Sequence, residues 1–134
     1  MSRPRRWTEW LVIAVAAITI LSALYQLALP ASALALLGVN PISETVYLFR
    51  LASLLTGLFG GMLLHSSLSG QAEPTVLLWA SLQKLLGAAL VGLGVGNGTL
   101  ATAALPVAGY DFAAGLFLLW YWSNLAKRRR LGNE

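Results

Sequence analysis

The sequence predicts an all-α fold, a bundle of four transmembrane helices with the N and C termini cytoplasmic. Three observations carry that expectation. The chain has 134 residues, 57% of them hydrophobic and only 10% charged, with a mean hydropathy of +0.72, a composition outside the range of soluble domains of this size. Four mostly apolar stretches follow one another, each close to the roughly 20 residues a helix needs to cross a bilayer. Seven of the nine Lys and Arg lie beyond these stretches, Arg3, Arg5 and Arg6 at one end and Lys127, Arg128, Arg129 and Arg130 at the other. An even number of spans brings both ends to one side, and the positive-inside rule makes that side the cytoplasm.

The whole chain, 1–134, then reads as a single integral membrane domain. Its first helix covers 10–29. Residues 1–29 also have the outline of a secretory signal, with small residues at Pro30-Ala31-Ser32-Ala33, but the apolar run exceeds a typical signal core, so an uncleaved helix is expected. Residues 31–37 stay apolar and suit a short helix lying at the interface. Asn40 and Pro41 read as an N-cap followed by Pro at the first helical position, which starts the second long helix at 41 and carries it to 64. A polar, turn-forming loop from His65 to Pro74 leads into the third, 75–95. Gly96-Asn97-Gly98 marks its exit, and the fourth helix covers 106–126.

Aromatic residues test the count of spans. Trp7, Trp10, Trp79, Trp120 and Trp122 fall at the expected cytoplasmic interface, and Tyr25, Tyr47 and Tyr110 at the opposite one, where aromatic belts form. No internal repeat relates the first two helices to the last two, which speaks against an inverted-repeat transporter within one chain.

Composition also narrows the chemistry. A net charge of +4 would raise nucleic acid in a soluble protein, but topology signals at the two ends explain it, so no nucleic-acid partner is expected. With no Cys and a single His, disulfides, thiolate metal sites and a His-based metal constellation are absent from the repertoire. No cofactor and no metal are expected. His65, at the close of the second helix, suits a favourable dipole contact better than haem or chlorophyll ligation. The alternating Gly92, Gly94, Gly96 and Gly98 lack the Lys-Ser/Thr of a phosphate loop and suit helix termination or close packing. Trp120-Tyr121-Trp122 before Lys127 to Arg130 suits an interfacial anchor.

Two basic residues remain, and with one acid they fall inside the apolar stretches: Arg50, Lys84 and Asp111. A charge at membrane depth costs several kcal/mol unless it is paired or reaches water. Helical spacing puts each of them on a face of small residues: Arg50 with Ser53, Gly57, Gly60 and Gly61, Lys84 with Ser81, Gly87 and Ala88, Asp111 with Ala108, Ala114 and Gly115. The first helix adds Thr19, Ser22 and Gln26. Small residues let helices approach closely in a membrane. Gln26, Arg50 and Asp111 count to the external half of the bilayer, and the flexible stem of Lys84 carries its ammonium toward Asp111. These spacings predict a cluster of Arg50, Lys84 and Asp111, capped by Gln26 and Glu44, as the ligand or ion-pair site. A structural ion pair that fixes register comes first among its roles, a ligand or ion site second, and catalysis a distant third.

Leu29-Pro30 before Leu36-Leu37-Gly38, then Phe49-Arg50-Leu51, Lys84-Leu85-Leu86-Gly87 and Asp111 with Leu116-Phe117 form an order of features that resembles small bacterial four-helix membrane proteins, broadly of the DoxX type. The resemblance implies a fold rather than an activity. Other four-helix families fit worse: Glu9 is interfacial where a small multidrug transporter carries an embedded Glu, quinone-linked thiol oxidoreductases need Cys, and sterol-isomerase-like bundles use several buried acids and a His. With short loops and no catalytic constellation, binding is expected ahead of catalysis. The expected protein acts by binding in the bacterial cytoplasmic (inner) membrane, with membrane lipids around it, as a homo-oligomer or as an accessory subunit of a larger membrane complex. The alternatives are a small proton- or anion-coupled transporter or channel, with Asp111 taking and releasing the proton, and a lipid-binding or lipid-modifying protein.

Overall fold

The computed structural model describes residues 6–70 and 73–131. Arg3 and Arg5 of the basic N-terminal cluster lie outside the described residues, as do the side chains of Arg129 and Arg130. Five α-helices follow in order, α1 (Trp7–Ala28), α2 (Pro30–Leu36), α3 (Ser43–Leu68), α4 (Pro74–Gly96) and α5 (Leu105–Leu131), with a single 3-10 turn at Thr102–Ala104 before α5. Among the described residues α1, α3, α4 and the stretch Thr102–Arg128 are each long and apolar enough to cross a membrane. The predicted interfacial segment 31–37 is the short helix α2.

Several boundaries differ from expectation: α1 starts at Trp7 rather than 10, α3 runs on through His65 to Leu68 rather than stopping at 64, and two others differ for local reasons. The second long helix starts at Ser43 rather than 41, because Asn40 to Ile42 form a turn of their own: Ile42 N–H donates to Asn40 O at 2.9 Å, and the Thr45 hydroxyl binds the carbonyls of Asn40 and Ile42, each at 2.9 Å. Ile42, extended at φ −78° and ψ 163°, takes the cap position expected of Asn40. The last helix runs on to Leu131 instead of stopping near 126, since Ala126, Lys127 and Arg128 are good helix formers with nothing to break them.

The long helices associate as two antiparallel pairs, α1 with α3 and α4 with α5. Along the first pair, Gln26 meets Ser53, Ala23 meets Gly57, and Thr19 and Ile20 meet Gly60, so each step of three or four residues down one helix matches the same step up the other. A Cβ at Gly60 would stand 3.0 Å from Ile20 and 3.1 Å from Thr19; hydrogen there is what lets the backbones close up. In the second pair, Gly115 does the same work against Leu85, where a Cβ would stand 2.7 Å from Cγ.

The pairs join at the end where α1 starts and α5 finishes, called the terminal end below. Val12 and Ala16 of α1, Leu63 of α3, Leu77 and Ala80 of α4, and Ala114 and Leu118 of α5 form one buried cluster there. Across the α3–α4 connection, Glu73 N–H donates to the buried Ser66 hydroxyl at 2.7 Å. At the opposite, distal end the join is a strap. Ala101 N–H donates to Leu37 O at 2.8 Å, tying the two distal connections together. Gly38 makes this approach feasible: its φ is +74°, and a Cβ would stand 2.8 Å from that of Ala101, so a side chain would be both strained and crowded.

Candidate functional site: a buried ion pair

Lys84 and Asp111 meet. Lys84 Nζ donates to Asp111 Oδ1 at 2.6 Å, with the lysine side chain 5% exposed and the aspartate 26%. The placement follows from the seam of the α4–α5 pair. Two turns toward the terminal end from each partner stand Leu77 and Leu118, both 0% exposed, and one turn toward the distal end stand the buried Ala88 and Ala108. The ions therefore occupy one layer of an otherwise apolar seam. Their helices are antiparallel, so each two-turn step of seven residues keeps the pair in register.

A third side chain completes the layer. The Lys84 ammonium lies 5.4 Å from the centroid of the Tyr110 ring, within cation–π range. Tyr110 packs against the apolar core, and its hydroxyl is buried with no hydrogen-bond partner. An unpaired buried hydroxyl costs about 1–3 kcal/mol, which the ring's contact with the cation partly offsets. The sequence expectation for Tyr110 was an interfacial belt. It lies inward instead, one residue before Asp111 and four before Ala114 on the buried side of α5, and that spacing was the available signal. Tyr25 and Tyr47 are exposed at 43% and 71%, as are Trp7, Trp10, Trp79 and Trp120 at 49% or more, in keeping with belts.

The rest of the expected cluster does not gather around this pair. Gln26 is half-buried on α1 and bonds to α3: the Ser53 hydroxyl donates to Gln26 Oε1 at 2.9 Å and to the Phe49 carbonyl at 2.7 Å. Arg50 and Glu44 are exposed, and the ion pair that forms in the α4–α5 seam is Lys84 with Asp111. The physical reason for Arg50 lies in the α1–α3 register. It continues the face of Ser53 by one more turn, but α1 ends at Ala28, so that turn passes the last residue of the seam. Helical spacing groups it with Ser53, but that does not bring it to Asp111.

One cation meets one anion in the α4–α5 seam, and the second cation stands outside it. Sliding either helix by one turn would part the ammonium from its carboxylate. Comparison with known proteins finds no matching family model, no matching curated protein and no matching solved structure.

Proposed function

We propose that this chain acts by binding, as a subunit of a membrane assembly, either with further copies of itself or as an accessory subunit of a larger complex. Its surroundings are membrane lipids, its termini face the cytoplasm, and its home is the bacterial inner membrane, as the basic ends and the DoxX-like order of motifs support. The observation that carries the proposal is Arg50. It is an exposed cation on a span, on the helix that its own chain covers least: 17% of the apolar stretch of α3 is buried inside the protein. A guanidinium at a lipid-facing position seeks an acidic partner, and a neighbouring subunit supplies one without exposing it to lipid. The neutral Lys84–Asp111 pair has the complementary task of holding the subunit's own helices.

The test is the size of the assembly extracted from native membranes in a mild detergent. A complex larger than the monomer is expected, and Arg50→Ala should shift it toward the monomer while leaving the helical content unchanged. A native protein that runs as a free monomer, or an Arg50→Ala complex of unaltered size and stability, would refute the proposal.

A further inference from the structure

The fold buries one face of α4 in the seam with α5 and leaves another uncovered. Trp79, Leu86 and Leu90 form the uncovered stripe, 56%, 63% and 69% exposed, and steps of three and four residues put the half-buried Gln83 among them. Gln83 stands nine residues past Pro74, the start of α4, which at the helical rise of about 1.5 Å per residue is near the middle of the hydrocarbon core. Its polar neighbours are answered within the subunit: the Ser81 hydroxyl donates to the Leu78 carbonyl at 2.8 Å, and Lys84 to Asp111 at 2.6 Å. The Gln83 amide makes no hydrogen bond with the described residues. An amide without a partner is costly in hydrocarbon, where no water replaces one.

A second copy of the chain supplies that partner. A carboxamide both donates and accepts, so it is its own complement, and copies inserted the same way in one bilayer carry Gln83 at one depth. A two-fold axis along the membrane normal, beside α4, sets the stripe against its own copy in an isologous contact. Nε2 of each Gln83 then donates to Oε1 of the other. The stripe carries no charge to oppose this, and a Cβ at Gly87, one turn past Gln83, would meet nothing within 4 Å, which leaves room for a helix to close in. The same operation at Arg50 on α3 would set like charges together, so the self-contact belongs to α4.

We propose that two copies of this chain pair through the uncovered face of α4, with the Gln83 amides of the two copies hydrogen-bonded to each other. The inference rests on the assembly proposed above and names one of its contacts. Arg50 stays open for the acidic partner on another subunit.

The sequence contains no Cys, so single-cysteine variants of the full chain report position without background. Under mild oxidation in native membranes, Leu90→Cys, two turns past Gln83 on the stripe, should cross-link into a dimer, whereas Leu58→Cys, 61% exposed on α3, should not. Gln83→Leu removes the amides and keeps an apolar side chain of similar size, so the helical content should match wild type. Loss of interhelical hydrogen bonds corresponds to about a tenfold weaker association. At low expression, where the dimer is the minor species, Gln83→Leu should therefore lower the Leu90→Cys cross-link about tenfold. A Leu90→Cys cross-link that is absent, no stronger than that of Leu58→Cys, or undiminished by Gln83→Leu would overturn the α4 contact. An assembly whose size depends on Arg50 but that gives no α4 cross-link would sink this inference alone, and a monomer in native membranes would sink both.

Discussion

The two helix pairs solve the same packing problem with different chemistry. Both close through small residues, Gly57 and Gly60 in the α1–α3 pair and Gly115 in the α4–α5 pair. Both also carry one polar contact across the seam. In α4–α5 it is a charged pair with its cation almost fully buried; in α1–α3 it is a neutral bond between Ser53 and the half-buried Gln26. The difference teaches which pair is held by specificity and which by shape. An ion pair punishes every wrong register, because each slip strands two charges. A hydroxyl that already bonds its own helix loses little when its partner moves.

Removal of one ion sharpens this comparison most. Asp111→Asn leaves the buried ammonium of Lys84 without its anion, and breaking a buried pair from one side costs about 3–5 kcal/mol. Lys84→Met should cost less, since the Asp111 side chain is 26% exposed against 5% for Lys84 and is the less enclosed of the two charges. The double variant Lys84→Met with Asp111→Leu should recover most of the loss, because buried ion pairs replaced by packed apolar groups are often neutral or better. Equilibrium unfolding in mixed micelles measures all three. Equal losses from the two single variants would break the reading that burial of the lysine dominates.

Glycine substitutions probe shape. A Cβ at Gly115 would stand 2.7 Å from Leu85 Cγ and 3.2 Å from its backbone nitrogen, so Gly115→Ala should lose about 1–3 kcal/mol to overpacking, less the helical preference of Ala, worth about 1 kcal/mol. At Gly57 the one near atom is the Ala23 Cβ, at 3.2 Å, and Gly57→Ala should be close to neutral. Gly61 has nothing within 4 Å, so Gly61→Ala should stabilise the monomer slightly. A ranking other than Gly115, Gly57, Gly61 in the same unfolding assay would mean that the two seams are not packed as described.

Much of this was legible in the sequence. Hydropathy and length gave the four spans, and three- and four-residue spacing gave the faces of Lys84 and Asp111, whose meeting follows from those faces and the lysine stem. The fate of Arg50 was not legible, because spacing reports the face of a helix and not how far the neighbouring helix extends; α1 stops at Ala28, one residue short of the position opposite Arg50. Tyr110 was misread for a related reason. Its position in the sequence fits an interface, but its angle around α5, adjacent to Asp111, turns it against the core. Depth comes from counting residues, whereas burial depends on partners that a single helix does not encode.

Among the polar contacts, the smaller effect is expected at Ser53. Its hydroxyl has a single proton to divide between Gln26 Oε1 at 2.9 Å and the Phe49 carbonyl at 2.7 Å, and the nearer acceptor lies on its own helix. Interhelical hydrogen bonds in membranes average about 0.6 kcal/mol, so Ser53→Ala should cost no more than that, and Gln26→Leu a similar amount, in the same unfolding assay. Ser53→Ala keeps the Cβ and removes only the oxygen, so at a position 1% exposed it leaves a void smaller than a methyl group. A loss at Ser53 as large as that at Asp111 would overturn the distinction between the pairs, and would mean that the α1–α3 seam also depends on its polar contact for register.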